Sequence, residues 1–325
     1  MNGEFSDQKQ VKNSSNAEAE YSAGRGYRWK KMRNSDIKQA ETLLCEIEND
    51  YVSACAKFLA RKDSKEPVWL LRKKKRESSS RDIAALIINS KSNIIPALRG
   101  LQEIPEFKFL KSFLRFNKIH SVQGLKNEVI ILENEIKKTG CKPADIIDYE
   151  LMNLDRPPDT SLTNDSFSVN PGRAAGTENK NLPGSLILCV PRMTDLDAIA
   201  PLQAAYEQEE VIPSGSVFSP AASRINTARI IANGSILAAK LNGRFIAKIN
   251  VSAVSFTRYQ IGGVYVHPGF RGLGIAGRMA SVFISSLIEE GRGVTLFVKK
   301  NNTAARRLYL KMGFTIRNDY RITYY

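Results

Sequence analysis

The feature that most constrains this chain is residues 261–277, which read Ile-Gly-Gly-Val-Tyr-Val-His-Pro-Gly-Phe-Arg-Gly-Leu-Gly-Ile-Ala-Gly. The β-branched and aromatic residues at 264–266 predict a strand, and Pro268 ends it. Apolar residues at helical spacing follow from Ile275. A strand, a glycine-rich loop and a helix in this order direct free backbone N–H groups and the positive end of a helix dipole at one point. The segment therefore predicts an anion site that suits a phosphate, with an ordinary glycine-rich turn as the alternative.

A second segment, residues 301–314, follows another predicted strand. Asn302 is a predicted N-cap, and Ala305 and Tyr309 then fall on one face of the helix that it begins. Gly313 is a suitable helix stop. The spacing thus predicts a short helix between two strands.

Residues 271–276, Arg-Gly-Leu-Gly-Ile-Ala, resemble the Arg/Gln-x-x-Gly-x-Gly/Ala pyrophosphate loop of the GNAT superfamily of acyl-CoA-dependent N-acetyltransferases. Residues 302–314, Asn-x-x-Ala-x-x-x-Tyr-x-x-x-Gly-Phe, resemble the second cofactor segment of that family. The two segments lie about 30 residues apart and are joined by a predicted strand, an arrangement more specific than either motif alone. The resemblance covers roughly residues 185–325.

The resemblance implies an α/β fold, of the α+β kind with a mixed sheet, and a GNAT acetyltransferase domain in residues 185–325. The predicted elements of residues 27–156 follow a similar order of helices and strands. We therefore predict a degenerate GNAT-like α/β domain there, which makes the chain a tandem; an unrelated α/β domain is the alternative. Residues 1–26 are predicted to be a disordered tail, and residues 157–184 are predicted to be a linker.

The N-terminal domain lacks the glycine-rich loop. Residues 99–105, Arg-Gly-Leu-Gln-Glu-Ile-Pro, contain an acidic residue and a proline that do not suit a phosphate. We predict that this domain binds no cofactor and instead shapes the substrate cleft or a dimer contact.

The resemblance further implies that acetyl-CoA (coenzyme A) is the acyl donor and that its pantetheine arm enters a gap between two splayed parallel strands. The pyrophosphate would rest on the loop amides, with Arg271 as a charged partner. The implied cofactor-binding residues are Val264, Tyr265, Val266, Arg271, Gly272, Leu273, Gly274, Ile275, Ala276, Gly277, Asn302, Ala305 and Arg306.

By the same resemblance Tyr309 is the general acid for the departing thiolate, although a tyrosine on an apolar helix face is by itself more typical of core packing. A strand amide near Val266 would hold the carbonyl oxygen. The base is not assigned, and the candidates are Glu207, Glu209, Glu210, His267 and a water chain. No metal constellation is visible in the sequence.

The formal net charge is +15, and residues 181–325 contribute +9 of it, from 17 Lys and Arg against 8 Asp and Glu. A positive field there would steer coenzyme A into its site. The densest basic run, residues 72–76, is predicted to be a solvated hairpin loop. Two other classes stay open: a catalytically silent acyl-CoA-binding or sensing module, and a nucleic-acid-binding protein. No helix-turn-helix, zinc-finger or aromatic RNA-binding signature favours the latter.

The four cysteines are scattered without metal-ligand spacing, which favours reduced thiols in the cytoplasm. No apolar run reaches the ~18 residues of a membrane span, and the N-terminus lacks the apolar segment of a secretory signal. The expected acceptor is a small-molecule or peptide amine, whose identity the sequence does not reveal. A homo-oligomer stays open.

Overall fold

The computed structural model describes residues 27–61, 67–73, 83–102, 119–158, 175–178, 185–213 and 215–325. The predicted disordered tail, residues 1–26, and a helix predicted over residues 107–116 lie outside the described residues. Most of the predicted basic loop also lies outside them.

Thirteen strands of the described chain form one sheet. The strands are Tyr27–Lys31 (β1), Val68–Lys73 (β2), Ile83–Ser90 (β3), Asn93–Ala97 (β4), Ser121–Leu125 (β5), Asp145–Leu154 (β6), Ala175–Glu178 (β7), Ser185–Cys189 (β8), Ile236–Leu241 (β9), Arg244–Val254 (β10), Arg258–Val266 (β11), Gly293–Lys299 (β12) and Thr315–Tyr324 (β13). Their spatial order is β1-β2-β3-β4-β5-β13-β6-β12-β11-β10-β9-β8-β7. The mixed α/β architecture expected from the sequence is confirmed.

Helices cover the two faces of this sheet. They are Ile37–Ala60 (α1), Lys126–Lys137 (α2), Leu196–Tyr206 (α3), Pro220–Ala232 (α4), Ile275–Glu289 (α5) and Thr303–Lys311 (α6). Helix α5 buries the apolar face that its sequence spacing predicts, including Met279, Phe283 and Leu287. Among the helices that the structure describes, none combines the length and the apolar character needed to cross a bilayer.

The centre of the sheet is built by an exchange of strands between the two halves of the chain. Strand β6, from the N-terminal half, lies between β12 and β13 and pairs antiparallel with both. Strand β13, from the C-terminal half, lies between β5 and β6. The order of strands is therefore mirrored about the β13–β6 pair. This mirror order favours a tandem of related halves, which stays a prediction.

The hydrophobic cores follow the same exchange. Met152 and Leu154 of β6 pack in the cluster that contains the buried face of α5. Tyr320 of β13 packs in the cluster built around α1. Each half therefore contributes apolar side chains to the core of the other, and burial of this surface favours their association.

Buried polar contacts fasten α1 to the C-terminal half. Glu48 is almost fully buried and accepts hydrogen bonds from the Ser255 hydroxyl and from the Thr257 amide at 2.8 Å. Arg258 donates from Nη1 to Asn49 Oδ1 at 2.8 Å and from Nε to Thr295 Oγ1 at 2.8 Å. A buried carboxylate needs such donors, so α1 is held in one place against the β10–β11 turn.

Two sequence expectations need correction. Within the predicted linker, residues 157–184, Ala175–Glu178 form strand β7, which pairs antiparallel with β8. The helix expected to run to about Glu210 ends at Tyr206 and continues as a π-helical turn, Glu207–Val211. By contrast, the turn predicted from Asn242-Gly243 has positive φ at both residues, +50° and +80°, as a type I′ hairpin requires.

The exchange predicts that neither half is a stable unit alone. Residues 185–325 expressed alone lack β6, so β12 and β13 lose a paired neighbour and expose backbone donors and acceptors. We expect this fragment to aggregate or to lack a cooperative urea transition, and to become soluble when co-expressed with residues 1–156. The control is the full chain with a protease site inserted within residues 159–174, whose two pieces should co-elute after cleavage. If the fragment of residues 185–325 were monomeric and unfolded cooperatively in urea, the prediction would be contradicted.

Candidate functional site

A cleft of about 1300 Å³ opens where β11 and β12 separate. The two strands pair in parallel only from Arg258 opposite Gly293 to Ile261 opposite Leu296. Beyond that point both strands continue for several residues without pairing to each other. Their backbones therefore border a gap at the carboxyl ends of the strands, which is where ligands bind in open α/β sheets.

A β-bulge in β11 lies at the point of separation. The pairing of β11 with β10 shifts register between Gly262 and Tyr265, so Gly263 and Val264 face no partner residue on β10. Gly263 has φ +61°, a conformation that glycine adopts without strain. A Cβ at this position would lie 1.9 Å from Asn250 Oδ1, so the close packing also requires glycine.

Lys248 holds this bulge from β10. Its side chain is fully buried, and Nζ donates to the Gly263 carbonyl at 2.8 Å and to Asn250 Oδ1 at 2.9 Å. Nζ also lies 4.9 Å from the centre of the Tyr206 ring. Burial lowers the pKa of Lys248 to about 7, against an opposing effect of Glu207. Nothing in the local sequence distinguishes this lysine from a solvent-facing lysine in a strand, so its role follows only from the structure.

The glycine-rich loop has the geometry of an anion cradle. Gly272 and Gly274 have φ +80° and +75°, and Gly274 is the N-cap of α5 with no side-chain cap. A Cβ added at either glycine would meet no atom within 4 Å, so the space above the loop is open. The first N–H groups of a 15-residue helix therefore face open space, as a phosphate requires.

Arg271 closes one side of this loop. Its Nε donates to the Val266 carbonyl at 3.0 Å, and its Nη2 lies 2.7 Å from Glu209 Oε2. His267 lies outside the cleft lining, and its Nδ1 accepts from the Gly269 amide, which suits a structural role in the turn.

The second segment borders the other side of the gap. Asn302 caps α6 by accepting from the Ala305 amide at 3.1 Å, as its sequence position predicts. Tyr309 is 6% exposed, lies edge-on to Phe314 and lines the cleft. Burial, then the charges of Tyr206 and Glu210, raise the pKa of Tyr309, so its phenol is protonated at neutral pH.

Most residues that the sequence associates with the cofactor share this cleft. Those that line it are Val264, Tyr265, Val266, Arg271, Gly272, Gly274, Ile275, Ala276, Gly277, Asn302 and Ala305. Leu273 instead packs against the core. Arg306 points away from the cleft, and its Nε is 2.7 Å from Glu150 Oε2 on β6. The structure therefore gives neither Leu273 nor Arg306 a side-chain contact with the cleft.

The three candidate bases lie together in the π-helical turn but differ in their partners. Glu209 pairs with Arg271, and Glu210 pairs with Lys299 at 3.1 Å. Glu207 accepts from two amide groups, Gln203 Nε2 at 2.7 Å and Asn226 Nδ2 at 3.0 Å. Glu207 thus combines a place in the cleft with neutral hydrogen-bond donors, which distinguishes it from the other two.

The N-terminal half supplies one wall of the cleft. Lys57 and Ala60, at the end of α1, line it together with Tyr149 of β6, and Tyr324 of β13 lies on the same side. Burial, then Tyr324 and Tyr206, raise the pKa of Tyr149. The local sequence does not indicate a role for Tyr149 or Tyr324, because only the exchange of strands brings them to the cleft.

The matching position in the N-terminal half is closed by Glu128. Strands β4 and β5 pair in parallel over two residues only, and Glu128 of α2 fills the space beside the loop that follows β4. Its carboxylate is fully buried and accepts from the amides of Leu98 at 2.9 Å and Gly100 at 3.4 Å and from the Tyr51 hydroxyl at 2.5 Å. A side chain of the protein thus occupies the amides that a bound anion would need.

Among the residues that the structure describes, no group of three or more His, Cys, Asp or Glu side chains is placed to hold a metal ion.

Residues 202–314 match the model of the acetyltransferase (GNAT) family. A solved structure of a Drosophila protein is similar at 11% identity with a TM-score of 0.59, covering 91% of this chain and 98% of its own. A GCN5-related N-acetyltransferase from Sphaerobacter thermophilus is similar at 16% identity with a TM-score of 0.52, covering 91% and 94%. At these identities the likeness concerns the fold. No curated protein sequence matches the chain.

The buried lysine predicts a pH dependence of stability. Between the folded pKa of about 7 and the unfolded value of ~10.4, the unfolded chain binds more protons at Lys248 than the folded chain. The free energy of unfolding should therefore rise with pH in this window, by up to about 1.4 kcal/mol per unit. Urea titrations of the wild type and Lys248→Met at pH 7, 8 and 9 check this, since other groups cancel in the difference. If the free energy of unfolding changed equally with pH in the wild type and in Lys248→Met, Lys248 would not titrate in this window.

Proposed function

We propose that this protein is an acetyl-CoA-dependent N-acetyltransferase that transfers acetyl directly to an amine in a ternary complex, because residues 202–314 match the model of the acetyltransferase (GNAT) family. The family's reaction is acyl transfer, so the broad assignment is an acyltransferase. The observation that carries the finer proposal is the gap between β11 and β12, which lies beside a glycine loop with open space above its amides.

The acyl donor fits the residues of the cleft. The loop from Arg271 to Ala276 would hold the pyrophosphate, since its amides and the positive end of α5 suit a doubly charged group. Arg271 would exchange part of its pairing with Glu209 for a phosphate oxygen. The pantetheine arm would extend along Val264 and Val266, whose backbone on the β12 side is unpaired.

The donor supplies a thioester, and the protein must stabilise the charge that its carbonyl oxygen gains when the amine attacks. Val264 lies in the bulge, where it has no register partner on β10, and its amide is suited to donate to this oxygen. The departing sulfur needs a proton. Tyr309 is the proposed general acid because burial keeps its phenol protonated.

The attacking amine must be neutral, whereas an ordinary ammonium has a pKa of ~10.4. Glu207 is the proposed acceptor of that proton, directly or through a water molecule. Its two amide partners, Gln203 and Asn226, orient the carboxylate through neutral hydrogen-bond donors. The acceptor would enter along the wall formed by α1 and Tyr149, so that the N-terminal half shapes acceptor binding.

The loop assignment predicts the effect of Gly274→Glu. The new carboxylate would project into the proposed phosphate site, so isothermal titration should show coenzyme A affinity weakened by about 100-fold or more, some 2.7 kcal/mol. Gly291→Glu is the matched control: Gly291 also has positive φ, +81°, and open space, but lies outside the cleft. If Gly274→Glu and Gly291→Glu bound coenzyme A with equal affinity, the loop would not be part of the donor site.

The acid assignment predicts the effect of Tyr309→Phe. Loss of the hydroxyl should leave acetyl-CoA binding intact and lower turnover about 10²–10⁴-fold. Turnover would be followed as thiol release with the most active member of a diverse amine panel. Tyr259→Phe is the control, because the Tyr259 hydroxyl bonds Glu290 away from the cleft. Normal turnover in Tyr309→Phe would mean that another group protonates the thiolate, and binding without transfer to any amine would indicate a silent module.

A further inference from the structure

The buried Lys248 on β10 has no contact with the proposed path of substrate, yet it donates to the peptide group at which β11 leaves β12. Burying a lysine costs free energy that an apolar side chain would not cost. The cost is offset here by two hydrogen bonds and by the Tyr206 ring. A role for the hydrogen bond to Gly263 would account for a lysine at this position.

The peptide group between Gly263 and Val264 links this lysine to the site. In a trans peptide the C=O and the next N–H point in opposite directions, so fixing one fixes the other. Lys248 Nζ holds the Gly263 carbonyl by a hydrogen bond of 2.8 Å. The Val264 N–H therefore points away from the bonded carbonyl oxygen, at a residue that lines the cleft.

Close packing restricts the backbone conformation of Gly263, on which the orientation of this peptide group depends. Gly263 is at φ +61°, and a Cβ there would lie 2.5 Å from Lys248 Nζ and 1.9 Å from Asn250 Oδ1. Asn250 in turn donates to the Val251 carbonyl at 3.2 Å. Lys248 and Asn250 therefore pack closely against Gly263, and Lys248 also bonds its carbonyl.

We propose that Lys248 is a positioning residue for acyl transfer: by holding the Gly263 carbonyl it orients the Val264 amide onto the thioester carbonyl of the acyl donor and makes that amide a stronger donor. The second effect follows because a hydrogen bond to the C=O polarises the whole peptide group. This proposal rests on the proposed function, since it needs a thioester in the gap.

The test reads the thioester carbonyl directly. Acetyl-CoA with a carbon-13 label at the carbonyl is bound to the wild type and to Lys248→Met, and the carbonyl stretch is measured by infrared difference spectroscopy. In the wild type the stretch should move to lower wavenumber on binding. In Lys248→Met most of that shift should be lost, while titration shows acetyl-CoA bound with affinity within about threefold, because the phosphate loop is unchanged.

Turnover gives a second measurement. With the same amine, kcat of Lys248→Met should fall about tenfold or more with little change in KM for acetyl-CoA. Lys240→Met is the matched control, because Lys240 on β9 also lies over an aromatic ring, Phe245 at 4.1 Å, but lies outside the cleft. Its carbonyl shift and kcat should equal those of the wild type.

The outcomes separate this proposal from the proposed function. If the wild type does not bind acetyl-CoA, the proposed function fails and this proposal fails with it. If acetyl-CoA binds but Lys248→Met keeps the full carbonyl shift, or the wild type shows none, only the present proposal is overturned. Should Lys248→Met fail to fold, Lys248→Gln takes its place, because its amide ends one bond short of the Nζ position while the site stays polar. An unchanged shift in that variant overturns the proposal equally.

Discussion

Strands β6 and β13 pair antiparallel at the centre of the sheet and hold the two halves of the chain together. Strand β6 belongs to the N-terminal half but pairs with β12 and β13 of the C-terminal half, and β13 in turn pairs with β5 and β6 of the N-terminal half. Backbone donors and acceptors in the middle of a buried sheet must be paired, so neither half can satisfy its central strands alone. Because of this exchange, the strands of both halves form one continuous sheet. The exchange also fixes the distance between the parallel pair β4–β5 and the parallel pair β11–β12.

This constraint also gives the site its second wall. Because β6 lies beside β12, Tyr149 reaches the cleft of the C-terminal half, and α1 is carried to its rim. The buried contacts of Glu48 and Arg258 then hold α1 against the β10–β11 turn. The side of the cleft with the glycine-rich loop is thus built from the C-terminal half, whereas the opposite wall needs both halves.

The sequence predicted the local parts of this site and missed those that depend on distant pairing. The positive φ of Gly272 and Gly274 and the cap formed by Asn302 follow from residue chemistry over a few positions. The roles of Lys248 and Tyr149 do not, since a strand residue shows neither its burial nor its neighbouring strand. Strand β7 lies within the predicted linker because its residues, Ala-Gly-Thr-Glu, have little preference for strands.

The open cleft and its closed counterpart differ at one comparable helix position. Helices α6 and α2 each follow the second strand of a parallel pair, and their third residues are Ala305 and Glu128. The methyl group of Ala305 lines an open space, whereas the Glu128 carboxylate takes up the loop amides of its own half. Desolvation raises the pKa of Glu128, but the Leu98 amide, the Tyr51 hydroxyl and the Gly100 amide oppose that effect. The Glu128 carboxylate thus takes up the Leu98 and Gly100 amides that a ligand phosphate would need, so this part of the N-terminal half is core, whereas the corresponding part of the C-terminal half is an open cleft.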